Sequence, residues 1–321
     1  MDTKEKIELI KRNTAEIIGE KDLNSTLSKK NLTVYCGYEP SGEIHLGHLV
    51  TITKLLDFQK AGIKLIILLA DWHAWLNKKG DWDFLDKQVK IWEKGMKAAG
   101  LKEAKFVKGT NFQREKGYID DIMLMALDTT VNRGIRSMQV VARDIENAKI
   151  SQIIYPLMQI EDIKALDVDF VCAGLDQRKI HALGIELFGK IGMKKKPIFV
   201  HTPIISSLKG PGSKMSSSDP GSFISIRDNF EEIKKKVNRS HCPEKIVKEN
   251  PIIEIIKYII FPRINSFDIK REKKFGGDVI YDSYEKFEKD YERGDLHPMD
   301  LKIVVAEYLE MIIEPIRKAW K

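Results

Sequence analysis

Along the first two-thirds of the chain, short apolar, β-branched runs alternate with stretches whose apolar positions recur every three or four residues. Residues 32–37, 64–70, 104–107, 168–172 and 197–201 read as strands, and 46–60, 82–99 and 177–192 as helices. The run KLIILLA at 64–70 is nearly continuous rather than alternating, which predicts a strand buried on both faces. Between residues 117 and 166 the period stays helical, with no strand. Such alternation predicts an α/β fold: a mostly parallel, doubly wound sheet carrying a helical insertion at about 110–155. After residue 206 the character changes. Glycines, a proline and serines mark a flexible loop at 209–219, and helices are expected at 230–237, 251–260, 283–291 and 298–318. Pro298 suits the first position of the last helix, where its missing N–H costs nothing. A boundary near residue 225 divides the chain into an α/β domain, 1–225, and an all-helical domain, 226–321.

Composition narrows the class. With 43% hydrophobic and 31% charged residues, the chain is of ordinary globular make-up. Cys36, Cys172 and Cys242 show no CxxC spacing, which argues against a disulfide framework or a cysteine zinc site and suits a reducing compartment. The charged N-terminus lacks the apolar core of a signal peptide, and the densest apolar run, 65–70, is too short to span a membrane. A cytoplasmic location is expected. The net charge of +7 suits a polyanionic partner such as RNA.

Three constellations carry chemistry. His45-Leu46-Gly47-His48 falls at a strand-to-helix turn, where backbone N–H groups and the helix dipole favour phosphate. Two imidazoles there can both reach a nucleotide, and Gly47 removes a side chain that would block a flat base. Lys214-Met215-Ser216-Ser217-Ser218 sits on the flexible loop, which can close over a ligand and bring a lysine to pyrophosphate charge. Tyr155, Gln159 and Asp162, spaced i, i+4 and i+7, put a polar stripe on one face of an otherwise apolar helix. Gly174-Leu175-Asp176-Gln177 then follows a buried strand and opens a helix, a place where open α/β sheets bind ligands. No residue is singled out as a metal ligand.

The first two motifs, in this order within an α/β pattern, resemble the HIGH-type and KMSKS-type signatures of class I aminoacyl-tRNA synthetases, whose catalytic domain is Rossmann-like. YxxxQxxD followed by GxDQ, with Tyr35 on the first strand, resembles the tyrosyl-tRNA synthetases of archaeal and eukaryotic type, and the likeness runs over nearly the whole chain. The resemblance implies activation of L-tyrosine with ATP and Mg²⁺, then transfer to tRNA-Tyr. It implies that His45, His48 and Lys214 are catalytic. Gly47, Gly174, Asp176, Lys214, Met215, Ser216, Ser217 and Ser218 would bind ATP, with Asp176 on its ribose. Tyr35 and Asp162 would hold the phenolic hydroxyl, and Tyr155, Gln159 and Gln177 the ammonium and carboxylate end. A hydroxyl both donates and accepts, so a Tyr–Asp pair satisfies it. Lys274-Phe275-Gly276-Gly277-Asp278 and His297-Pro298-Met299-Asp300 also resemble the archaeal-type enzymes, giving Phe275 a stacking role on an anticodon base and His297 and Asp300 its edge. Arg136, Arg178 and Lys179 match positions that meet the acceptor end. The resemblance also implies a homodimer formed through the insertion. Cys36 stands where an aliphatic residue is commoner in the family; it points to the other face of the strand and is given no role. Two alternatives stay open: a tryptophanyl-tRNA synthetase, and a synthetase-derived RNA-binding protein without catalysis.

Overall fold

The computed structural model describes residues 1–138, 149–215, 219 and 221–320. The chain forms two compact units, one of Met1–Ser41, Lys54–Glu93 and Leu101–Pro203, the other of Gly42–Thr53, Lys94–Gly100 and Ile204–Lys321.

The first unit is built on six strands: β1 (Glu16–Ile18), β2 (Thr33–Tyr38), β3 (Lys64–Leu69), β4 (Lys105–Lys108), β5 (Phe170–Gly174) and β6 (Ile198–Thr202), in the order β1-β6-β5-β2-β3-β4. All neighbours run parallel except β1, which lies antiparallel on β6. β2 leads outward to β3 and β4 on one side, while β5 and β6 lie on the other. The order therefore reverses between β2 and β5, and the carboxyl ends of those two strands are where such sheets take ligands. β3 is buried along most of its length, as its unbroken apolar run requires.

The helices follow the expected period: α1 (Thr3–Lys11), α2 (Leu23–Leu27), α3 (Leu46–Lys60), α4 (Asp71–Leu76), α5 (Trp82–Ala98), α6 (Lys116–Leu127), α7 (Val131–Ser137), α8 (Ile150–Ala165) and α9 (Arg178–Leu187). α9 stops short of the expected residue 192. Its end gives way to a turn in which Gly192 has φ of +72°. α1 and β1 lay outside the expected pattern. β1 is too short for alternation to show, while α1 has a readable start, since Asp2 and Glu5 form a reciprocal capping box. The buried Lys54 ammonium donates to the Leu9 carbonyl at 3.0 Å and to that of Ile10 at 3.3 Å, closing the end of α1.

In the second unit a short hairpin of β7 (Ser206–Ser207) and β8 (Gly210–Lys214) carries the lysine motif. α10 (Phe230–Arg239), α11 (Pro251–Ile255), α12 (Tyr284–Arg293) and α13 (Pro298–Ala319) follow. The helix expected over 251–260 changes at Ile256 into a π-helical turn, then ends in a 3₁₀ turn containing Pro262. The region is helical but not wholly so. β9 (Phe267–Ile269) and β10 (Val279–Tyr281) form an antiparallel ribbon, too short for a period-2 pattern to declare itself. Its loop is tied by Arg271, whose backbone N–H donates to Asp278 at 2.9 Å and whose Nε donates to the Gly277 carbonyl at 2.9 Å. Gly276 and Gly277 take φ of +99° and +73°, which glycine alone adopts without strain. Phe287 anchors this core against Phe261, Phe267, Tyr281 and Tyr284. Among the described residues no helix is long and apolar enough to cross a membrane.

Candidate active site

In the first unit, Tyr35 stands on β2, opposite Ile66 of β3 and Val171 of β5. Gly37, two residues on and so on the same face, is exposed although its strand is central. A Cβ on Gly37 would stand 2.6 Å from the Tyr35 hydroxyl, so that hydroxyl lies over the glycine. Burial, and then the charge of Asp162, push the Tyr35 phenol well above its ordinary pKa. The Asp162 carboxylate is therefore close enough for its charge to act on the Tyr35 hydroxyl.

Asp162, on α8, is 1% exposed. Its Oδ1 accepts from Gln113 Nε2 at 2.8 Å and lies 2.8 Å from the Tyr118 hydroxyl, which shares its proton with the Met158 carbonyl at 2.8 Å. Its Oδ2 lies 3.6 Å from His73 Nε2. Burial raises the Asp162 carboxyl to about 7, against the lowering effect of the bonds from Gln113 and Tyr118. Burial also lowers His73 to about 3, so the imidazole is neutral and the contact is no ion pair. Gln113 Nε2 stands 3.2 Å from His73 Nδ1, which therefore accepts, and the ring's proton sits on Nε2. That buried Nε2 has no hydrogen-bond partner among the described residues.

On the same face of α8, Tyr155 bonds through its hydroxyl to the Glu39 carboxylate, which also accepts from Asn77 at 2.7 Å. Burial pushes Glu39 above the usual carboxylate range, opposed by these two bonds and by Lys79. The His73 ring stands edge-on to Tyr155 at 4.6 Å. Gln159 Nε2 is 3.4 Å from His181 Nε2. At the end of β5, a Cβ on Gly174 would meet the Asp176 carboxylate at 2.4 Å, so the glycine makes room for it. Gln177 is half-buried at the start of α9. Tyr35, Tyr155, Gln159 and Asp162 thus gather with Glu39, His73, Gln113 and Tyr118 in one unit, while Gly174, Asp176 and Gln177 edge the neighbouring strand.

In the second unit, the histidine turn is held by backbone bonds on either side: Leu46 N–H to the Ile224 carbonyl at 3.2 Å, and Ile226 N–H to that of Ile44 at 3.1 Å. His45 Nδ1 accepts from the Gly47 N–H at 3.1 Å, and His48 Nδ1 accepts from the His45 N–H at 3.2 Å. A neutral imidazole that accepts at Nδ1 carries its proton on Nε2. Burial lowers His45 to about 4 and drives His48 well below its ordinary value, so both rings are neutral and both Nε2 atoms are donors. The rings lie 3.9 Å apart by centroid. What a Cβ on Gly47 would meet in this structure is the His45 ring, at 2.9 Å. Lys214 pairs through its backbone with Ser206, and Met215 is buried. Ser216, Ser217 and Ser218 lie outside the described residues.

The chain has counterparts among known proteins. Residues 27–314 match the model of the family described as tRNA synthetases class I (W and Y). The chain belongs to that family. A protein of Archaeoglobus fulgidus named tyrosine–tRNA ligase is 47% identical over 321 residues, covering 99% of this chain and 98% of the relative. One of the same name from Methanocaldococcus jannaschii is 47% identical over 315 residues, covering 98% and 99%. A crystal structure of the A. fulgidus tyrosyl-tRNA synthetase complexed with L-tyrosine matches with a TM-score of 0.95 and 46% identity, over 100% of both chains. As a class I synthetase, the chain is a ligase with ATP as a substrate.

His73, Gln113 and Tyr118 of this synthetase carry no signature spacing; His73 and Gln113 were readable only as residues that follow β3 and β4, at carboxyl ends of sheet strands, and Tyr118, inside α6, had no such signal. The candidate RNA contacts fall in both units. Arg136 and Lys179 are exposed, and Arg178 pairs with Glu16 at 2.8 Å. Phe275 is 58% exposed under the Lys274 ammonium, 4.8 Å from its ring centroid. His297 caps α13 by accepting from the Met299 N–H at 3.2 Å, and Asp300 lies in that helix's first turn.

Proposed function

We propose that this synthetase is a tyrosine–tRNA ligase, and that its two steps use the groups described above as follows. The carboxylate of L-tyrosine attacks the α-phosphorus of ATP, the bond to the β-phosphate breaks, and pyrophosphate leaves; Mg²⁺ brought in on ATP would supply further positive charge for those phosphates. The ribose hydroxyl of the 3′-terminal adenosine of tRNA-Tyr then attacks the carbonyl of tyrosyl-adenylate, and AMP leaves. The Nε2–H donors of His45 and His48, with the Lys214 ammonium, stabilise charge that grows on the phosphates; no side-chain nucleophile is required. Asp176 accepts from the ATP ribose. Gly47, Gly174, Met215 and Ser216 to Ser218 line the nucleotide.

The observation that carries the reading is the state of Asp162. One of its oxygens is saturated by Gln113 and Tyr118, while the other has only the distant His73 among the described residues. A phenolic hydroxyl there donates to Oδ2 and finds donors in Tyr35 and His73. An indole N–H only donates and a phenyl ring does neither, so tryptophan and phenylalanine leave buried polar groups unpaired. Tyr155, Gln159 and Gln177 take the ammonium and carboxylate end.

Residues 1–225 serve as the catalytic domain and 226–321 as the anticodon-binding domain, with Phe275 stacking on a base and His297 and Asp300 on its edge. Arg136, Arg178 and Lys179 meet the acceptor end. The chain works in the cytoplasm as a homodimer joined through residues 110–155, a segment where Met123, Leu124, Leu127, Val131 and Ile150 are exposed. ATP–pyrophosphate exchange driven by tyrosine, phenylalanine and tryptophan in parallel tests the assignment. Exchange with tyrosine far above the other two is expected, and exchange driven by tryptophan alone overturns it.

A further inference from the structure

Behind Gln159 a line of hydrogen bonds runs through the interior to the sheet edge. His181 Nδ1 lies 2.8 Å from His201 Nε2, and His201 Nδ1 lies 3.1 Å from Glu16 Oε2. Both imidazoles are fully buried. Glu16 faces His201 directly across the β1–β6 pairing, and its carboxylate is held on the other side by Arg178. Nothing in the two-step reaction uses either histidine.

The polarity of this line follows from its acceptor-only end. A carboxylate cannot donate, so His201 Nδ1 carries a proton and donates to Glu16. Burial lowers both imidazoles below their ordinary value, keeping each ring neutral with one proton. His201 Nε2 is then an acceptor, so His181 Nδ1 must donate to it. His181 Nε2 is an acceptor in turn, and only the amide nitrogen of Gln159 can supply its proton. The amide has no second orientation that satisfies the line.

We propose that Glu16, His201 and His181 are positioning residues that lock the Gln159 side chain with its nitrogen turned inward and its oxygen turned to the substrate's ammonium. This deepens the reading of Gln159 as an ammonium contact and rests on it. An ammonium has three N–H donors and no acceptor, so an amide oxygen attracts it and an amide NH₂ repels it. The line therefore converts a residue with two nearly isosteric orientations into a selective one.

The test is to reverse the polarity from the far end. Glu16 is on an edge strand and partly exposed, so Glu16→Lys can be accommodated. Its donor turns every bond round and presents the Gln159 NH₂ to the ligand. We expect its KM for tyrosine in ATP–pyrophosphate exchange to rise about tenfold or more, with kcat little changed. Glu16→Gln, which keeps an acceptor, stays near wild type, and Glu16→Ala falls between. Inhibition by 3-(4-hydroxyphenyl)propionate, which lacks the ammonium, is the same in all of them. An unchanged tyrosine KM in Glu16→Lys and Glu16→Ala, alongside a raised one in Gln159→Leu, overturns the relay and leaves the ammonium contact standing. An unchanged KM in Gln159→Leu overturns both. Equal weakening of tyrosine and the propionate by Glu16→Lys marks general disruption and also rejects the proposal.

Discussion

Tyr118 shares its one hydroxyl proton between Oδ1 of Asp162 and the Met158 carbonyl, each at 2.8 Å. Gln113 donates to the same Oδ1, which leaves Oδ2 as the oxygen with no close partner among the described residues. Two protein donors on one oxygen leave a buried acid with one face assigned and one face available. The proposed preference for a phenolic hydroxyl rests on that division.

The first prediction concerns pH. Burial raises Asp162 to about 7 in the folded protein. The same acid in the unfolded chain titrates near 4, so between about 4 and about 7 the folded state holds a proton that the unfolded chain has lost. This group's contribution to stability therefore falls as pH rises through that window. Substrate has the opposite preference, because a phenol donates best to the ionised carboxylate. kcat/KM for tyrosine should rise with pH through about 7, and Asp162→Asn should flatten the rise. A pH profile of exchange on both proteins measures this; a rise that persists in the variant assigns the titration to another group.

Gly37→Ala should damage tyrosine binding while leaving the fold intact. The added Cβ meets the Tyr35 hydroxyl at 2.6 Å, and the far end of that side chain is what must move. We expect KM for tyrosine to rise about tenfold, in line with losing one bond to a buried polar group. KM for ATP and the thermal midpoint should stay close to wild type. Steady-state kinetics and a thermal melt are sufficient.

The Nε2–H tautomer of His45 makes a graded prediction. Glutamine places its amide nitrogen near the position of Nε2, whereas asparagine reaches only to Nδ1. His45→Asn therefore loses the phosphate donor, and kcat for tyrosine activation should drop about 10²–10³-fold, the usual cost of one transition-state donor. His45→Gln should lose clearly less. Equal losses in single-turnover adenylate formation would show that the ring serves only to shape the turn.

Leu127 is 84% exposed and Ile150 76%, both within the segment proposed to form a dimer. Single exposed apolar residues are ordinary, but Met123, Leu124 and Val131 are exposed in the same segment, and apolar side chains that form a patch are where another chain docks. Leu127→Lys with Ile150→Lys should shift sedimentation from dimer to monomer, with little change in the melting of the first unit's sheet. A wild-type protein that sediments as a monomer at all concentrations would remove the dimer.

Much of the fold was legible because its signals are local. The unbroken KLIILL run of β3 declares a doubly buried strand, and α3 begins and ends where its apolar period does. The Tyr155–Gln159–Asp162 stripe needs only the pitch of one helix. Elements of three residues, such as β1, β9 and β10, carry too few positions for a period. The π-helical turn at Ile256–Ile260 has no local signature at all.

The motifs at residues 45–48 and 214–218, the helical stripe, and the resulting reading as a tyrosine-activating synthetase came from the sequence by itself, because residue types at fixed short spacings define them. Only the tertiary structure decided which oxygen of Asp162 is engaged, which nitrogen of each histidine holds a proton, and which way Gln159 turns. Those choices depend on partners such as Glu16 and His201, 185 positions apart along the chain. A proton's place is set by the acceptor across from it, and that acceptor is chosen by strand order and packing rather than by any neighbour in the chain.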